Sequence, residues 1–223
     1  MTEQLFFDDF IGAYASPLPN ATDFGSTYRW TRKGDGTAEY MPPYGATWGL
    51  ARMDLSTSQQ FGEAVIKSVS PSEYGLVACN ISGTFTASSH TCYKYGLMPT
   101  GWHTIWRNEA QSIGGGVKVA EDSYGVAMAL YRRITVTPQG DGALIVGSQS
   151  SDDVTYTDLV SYYDPDPLPA GKIGFATYTM FGRVDWVRQY SIPLPERIVP
   201  ERPHHVWLVE PNERERQVMR IGR

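Results

Sequence analysis

The sequence predicts an all-β protein made of two stacked antiparallel sheets. Three observations carry that prediction. Helical periodicity is nearly absent from the 223 residues. Short runs rich in Val, Ile, Thr, Tyr and Trp recur instead, punctuated by Ser, Asp and an ample supply of turn formers, 22 Gly and 15 Pro. Hydrophobic residues make up 41% of the chain and aromatics 13%, enough to fill the space between two layers.

In chain order the expected strands are "TYRWTR", "GTAEYM", "ATWGLARM", "FGEAVIKSV", "YGLVACNI", "TCYKYGLM", "HTIWRN", "GVKVAE", "YGVAMALYRRITVTP", "GALIVGSQ", "DVTYTDLV", "GKIGFATYT" and "GRVDWVRQYSI". The best helical candidate is "DLSTSQQFGEAVIK", but Gly62 interrupts it, and "FGEAVIKSVSP" reads as a strand ended by Pro71. The clearest hairpin is "RRITVTPQGDGALIVGS". There Ile134 and Val136 alternate with Thr135 and Thr137, "PQGDG" turns the chain, and Leu144 and Val146 alternate back. In "GRVDWVRQYSI" the alternation sets Val184, Trp186 and Arg188 against Asp185, Val187 and Gln189. As a closing strand it is expected to turn Val184 and Trp186 to the core, leaving Val187 in need of cover.

The formal net charge is −5, and no basic stripe is present, which argues against nucleic acid as a partner. No apolar run approaches the ~20 residues of a membrane span, so no membrane insertion is expected. The start, "MTEQLFFDDF", has neither a basic n-region nor an apolar h-region, so synthesis in the cytoplasm without a signal peptide is expected. Cys79 and Cys92 bracket a hairpin centred near Phe85. They are two buried thiols or, if they face each other across that hairpin, a disulfide; the missing export signal favours free thiols.

Composition shifts after Ile192. Residues 193–223 are dense in Pro, Glu and Arg, with six Arg against five Glu, and the rhythm of "VPERPHHVWLV" is echoed in "EPNERERQVMRI". A piece this short cannot bury a core of its own. The chain therefore divides into a sandwich over residues 1–192 and a β-rich attachment tail over 193–223. Val206, Trp207, Leu208, Val218 and Ile221 are the tail's candidate anchoring positions, on a second copy of the chain or on another protein.

The stretches "FFDDF", "YRRITVTPQGDGALIVGS" and "GKIGFATY…GRVDWVRQY", in that order, resemble the concanavalin A-like lectin/glucanase domains. The resemblance covers roughly residues 5–192. It implies a jelly-roll sandwich in which the early "DDF" strand pairs with the last strand. It also implies that Gly171 and Gly174 serve turns and close packing, and that Asp185 and Trp186 lock the terminal strand. The tail resembles terminal segments of structural proteins of tailed bacteriophages. That likeness implies a virion component, of the minor tail or head-decoration type.

Domains of this type include glycoside hydrolases that carry Glu-x-Asp-x-Glu or Glu-x-Asp-x-x-Glu on one strand, so that both Glu face one cleft. No such run occurs here. The acidic clusters are "FFDDF", "EDSYG", "SSDDVTYTD" and "YYDPDP"; Asp164 and Asp166 flank Pro165 in a loop, where carboxylates more often cap turns than catalyse. No cofactor is expected. "SSDDVTYTD" and "DPDP" offer oxygens to Ca2+ alone, at no diagnostic spacing. His90 and His103 are dispersed, and adjacent His204 and His205 cannot share a metal from a strand.

Aromatic residues are the more informative group. Tyr40, Tyr44 and Trp48 share "EYMPPYGATW"; Tyr93 and Tyr95 lie on one face of a strand; Trp102 and Trp106 do the same; Tyr162 and Tyr163 sit beside acids. Sugar sites set aromatic faces against the C–H side of the ring and use polar groups for the hydroxyls. These nine residues are the glycan-site candidates, with core filling as the competing role. The expectation is a non-catalytic, displayed sandwich that binds host-surface glycan; a glycoside hydrolase of the same fold and a free lectin-like module are the alternatives.

Overall fold

The computed structural model describes residues 2–25, 30–40, 48–70, 75–86, 89–98, 100–111, 116–178 and 182–192. Among them fifteen strands and no helix occur. The strands are β1 (Gln4–Asp8), β2 (Ala21–Gly25), β3 (Thr31–Lys33), β4 (Thr37–Tyr40), β5 (Trp48–Met53), β6 (Gly62–Ser68), β7 (Gly75–Thr86) and β8 (Ser89–Leu97). They continue as β9 (His103–Gln111), β10 (Val117–Asp122), β11 (Tyr131–Gln139), β12 (Gly142–Ser150), β13 (Thr157–Asp164), β14 (Lys172–Tyr178) and β15 (Gly182–Ser191).

They form two antiparallel sheets. The first runs β13-β12-β11-β6-β15-β4-β3, with β1 added to β15; the second runs β10-β9-β8-β7-β14-β5-β2. The early acidic strand pairs with the last strand as expected, Phe7 opposite Arg188 and Asp8 opposite Val187. The predicted hairpin is β11–β12, in register from Tyr131↔Ser150 to Gln139↔Gly142.

Alternation sends one side of each sheet inward. From the first sheet come Ala64, Ile66, Ile134, Val136 and Ile145, and from the second Val77, Tyr93, Tyr95, Ile105 and Phe175. Each fully buried side chain of this size contributes ~1.5–3 kcal/mol through removal of apolar surface from water. Trp30 is enclosed at one end, its ring 4.6 Å from that of Phe175 and 5.6 Å from that of Tyr40. Arg132 crosses the core from β11 and donates to the Gly75 carbonyl of β7 at 2.6 Å, tying one sheet to the other.

Three expectations are corrected here. In β15 the pairing with β6 slips by one residue between Val184 and Trp186. This bulge breaks strict alternation, so Val184 and Val187 both reach the core while Trp186 stands on the outer face. Trp186 packs there between Phe7 of β1 and Tyr131 of β11, at 6.1 and 5.7 Å, and Asp185 pairs with Lys67 at 2.5 Å. Both residues hold the terminal strand, from outside the core. Second, β13 begins at Thr157 and not at Asp153, because Asp152 caps a turn, its Oδ1 accepting from the N–H groups of Val154 and Thr155 at 2.9 Å. Third, β11 begins at Tyr131, since residues 123–130 form a connection containing a tight turn at Gly125. Strand β2 was not expected at all; its "ATDFG" has too few β-branched residues to stand out.

Residues 193–223, with the anchoring candidates Val206, Trp207, Leu208, Val218 and Ile221, lie outside the described residues.

Candidate functional site

The nine aromatic candidates separate by face. Tyr40, Tyr93 and Tyr95 are fully buried in the core, so they present no face to a ligand. Their i, i+2 spacing fixes a common side of the strand but not which side faces inward. Tyr44 lies outside the described residues. Trp48 opens β5 as the register partner of Tyr178. Tyr162, opposite Ile145, packs partly against the core, and Tyr163 is 46% exposed beside Leu144.

Trp102 and Trp106 remain together. Ile105 of β9 enters the core, so alternation places Thr104, Trp106 and Asn108 on the outer face of the second sheet, and Trp102, one residue before β9, continues the same ladder by accepting the Met98 N–H at 3.0 Å. Four residues of strand separate the two tryptophans by ~13 Å. Trp102 is half-buried and meets Tyr124 with ring centroids 4.9 Å apart, and Tyr124 is 66% exposed. Trp106, also half-buried, donates its indole N–H to Thr104 Oγ1 at 3.1 Å, and that hydroxyl donates to the Gly96 carbonyl at 3.3 Å. Edge strand β10 flanks the row: Lys118 is the partner of Trp106 and Glu121 of Thr104, and the two charges pair at 2.5 Å. Gly96 faces Thr104 from β8, and Thr104 itself is 1% exposed. The result is a strip of aromatic faces bordered by an exposed ammonium and carboxylate. Tyr124, Thr104, Lys118 and Glu121 were not among the sequence candidates. "EDSYG" read as acidic, and only the turn at Gly101 and Gly125, joined by a backbone hydrogen bond of 2.9 Å, brings Tyr124 to Trp102.

The same outer face continues inward as a buried floor. Leu50, Leu76, Ala78, Ile81, Cys92 and Ala176 cluster there, and Lys94, in register with Ala78 and Trp106, is 1% exposed. Burial lowers the proton affinity of Lys94. Beside it, burial and then the Lys94 charge push His90 down to about 4. Asn108 Nδ2 lies 3.2 Å from His90 Nε2, which leaves the ring proton on Nδ1. Cys79 and Cys92 are free thiols on opposite sides of the sheet, one in the core and one in this floor. Cys79 opposes Tyr93 and Cys92 opposes Asn108, so the two never face each other.

The acidic pair of "YYDPDP" is a structural knot. Asp164 is 2% exposed and accepts from Tyr93 Oη at 2.5 Å, Arg107 Nε at 2.9 Å and the Asp166 N–H at 3.0 Å. Asp166 takes part through its backbone, that N–H to Asp164 and its carbonyl, which accepts from Arg107 at 3.0 Å. In "SSDDVTYTD", Asp152 caps its turn and Asp153 binds Arg188 at 2.5 Å and Tyr156 at 2.6 Å. Among the described residues no group of three or more His, Cys, Asp or Glu side chains gathers as a metal site would.

Two antiparallel sheets, with first and last strands paired, define a jelly-roll β-sandwich. Among solved structures the chain is similar to the VIP36 exoplasmic/lumenal domain in its Ca2+/Man3GlcNAc-bound form, with TM-score 0.51 and 8% identity over 84% of this chain and 88% of that one. It is also similar to a Bacillus licheniformis beta-glucanase (TM-score 0.46, 10% identity, 84% and 98% covered). A third likeness is to the carbohydrate binding module CBM66 from Bacillus subtilis (TM-score 0.45, 14% identity, 74% and 91% covered). No protein-family model matches the sequence, and no curated protein matches it.

Proposed function

We propose that this chain is a non-catalytic carbohydrate-binding module whose ligand lies on the outer face of the second sheet. The strip of Trp102, Tyr124 and Trp106 carries the reading. Indole and phenol faces suit the C–H side of a sugar ring, and Lys118 and Glu121 stand beside them to take hydroxyls. A domain of the same fold, VIP36, is named in a mannose-containing form, which agrees with this use of the sandwich.

Hydrolysis is the competing reading, because solved structures of this fold type include glucanases. It needs two carboxyl groups ~5–9.5 Å apart across one cleft. Where β7, β8 and β9 pair, their outward positions are Leu76, Ala78, Cys92, Lys94, Gly96, Thr104, Trp106 and Asn108, without a carboxylate. That distribution favours binding over cleavage. The test is a glycan array probed with the full chain, followed by reducing-sugar release from each bound glycan. Binding without release is expected. A silent array overturns the binding reading, and release overturns the non-catalytic one.

The Pro/Glu/Arg-rich residues 193–223 support a second element of the proposal, from sequence alone: the tail anchors the sandwich in a homo-oligomer on a virion, which displays it toward host-surface glycan.

A further inference from the structure

We infer that the site takes a linear oligosaccharide laid along β9 and spanning more than one sugar ring, and not a single terminal sugar. This rests on the carbohydrate-binding reading and deepens it. Trp106 lies in β9 and Trp102 immediately before it, where the Trp102 carbonyl accepts the Met98 N–H at 3.0 Å and continues the ladder, so the Cα atoms of the two tryptophans stand ~13 Å apart. A single ring stacks on one indole and cannot reach the other. The intervening side chain, Thr104, is 1% exposed and holds the Trp106 indole N–H, so a ligand meets the aromatic groups and not the strand beneath them. The Thr104 hydroxyl is already committed to Gly96 and Trp106, so the middle of the strip offers shape and few hydrogen bonds. Lys118 and Glu121 of β10 supply polar groups along one border, following the same direction as the indoles. Tyr124 widens the platform at the Trp102 end, which makes that end the broader aromatic contact. An extended ligand running parallel to the strand uses all of these at once; a branched or terminal sugar uses one end.

The experiment measures affinity of the full chain for mannose, glucose, galactose and N-acetylglucosamine oligomers of increasing length, from one ring to about six, by calorimetry. Affinity is expected to rise about tenfold when the chain becomes long enough to bridge both indoles, and then to level off. Trp102→Ala is expected to return the long oligomer to the affinity of the short one, so that affinity no longer rises with length. Trp102→Phe restores most of the length dependence, and the urea midpoint of each variant shows that it is folded. Affinity that is flat in length in the unaltered chain, or a length dependence that survives Trp102→Ala, overturns the linear-ligand inference and leaves carbohydrate binding standing. No binding to any oligomer overturns both.

Discussion

The Tyr93 hydroxyl joins three parts of the molecule. It donates to Asp164 at 2.5 Å and accepts the Leu168 N–H at 2.9 Å, so one oxygen of the second sheet fixes the end of β13 and the loop after it. Burial, then the hydrogen bond to Asp164, raises its proton affinity and keeps it a donor. Tyr93→Phe leaves a buried carboxylate with one fewer donor and strands an amide, and is expected to cost ~1–3 kcal/mol in urea unfolding. An unchanged midpoint would show that water replaces the hydroxyl. His90 gives a pH dependence of definite sign. Its folded-state value of about 4 lies below its ordinary 6.5, so between the two the unfolded chain binds more protons. The stability it contributes is complete above ~6.5, declines as pH falls, and is gone below about 4. Urea unfolding from neutral to acid pH should show that decline, and His90→Gln should flatten it; an equal slope in the variant assigns it to other groups. Neither residue's role was legible in sequence. "TCYKY" shows that Tyr93 and Tyr95 share a side, but the side that faces inward is set by which sheet covers the strand.

At the scale of elements, close approach of strands explains two glycines. A Cβ on Gly174 would collide with the Ala51 carbonyl of neighbouring β5, and one on Gly171 with the backbone at Asn80 and Ile81. Backbone cannot step aside as a flexible side chain can. Gly174→Ala is therefore expected to destabilise by ~1–3 kcal/mol. Gly34, with nothing within 4 Å of the same position, should accept Ala within about 0.5 kcal/mol. Equal midpoints for the two variants would refute the packing argument. The resemblance assigned Gly171 and Gly174 to close packing, and the collisions agree. What sequence did not reveal in β15 was the bulge. Period-two reading assumes an unbroken ladder, and one unpaired residue at Asp185 reverses the side of everything after it. That single shift moved Trp186 out and Val187 in. In β11–β12, where no bulge intervenes, Ile134 and Val136 face the core as alternation has them, but on the return strand Ile145 enters it while Leu144 and Val146 lie opposite Thr137 and Thr135 on the outer side.

For the whole molecule, the two-sheet architecture was readable because short alternating strands and frequent turns leave few other ways to bury 41% hydrophobic residues. The candidate site was readable only in part. Trp106 lies in β9 and Trp102 immediately before it, so spacing revealed them as a pair; Tyr124, Lys118 and Glu121 join them through pairing with β10 and a turn beyond it. The attachment role of residues 193–223 is tested at this scale. By light scattering, a chain ending at Leu194 is expected to be monomeric and the full chain to associate; two monomers would end the anchoring proposal. One further consequence follows from the pairing of β1 with β15. Glu3 and Ser191 exchange backbone and side-chain hydrogen bonds, 2.8 Å from the Ser191 N–H and 3.0 Å to its hydroxyl, so the two ends of the sandwich leave it side by side. Tension applied through both ends would peel these strands apart one rung at a time, like a zipper. Tension through one end, with the load carried by the far loops, would meet every rung together.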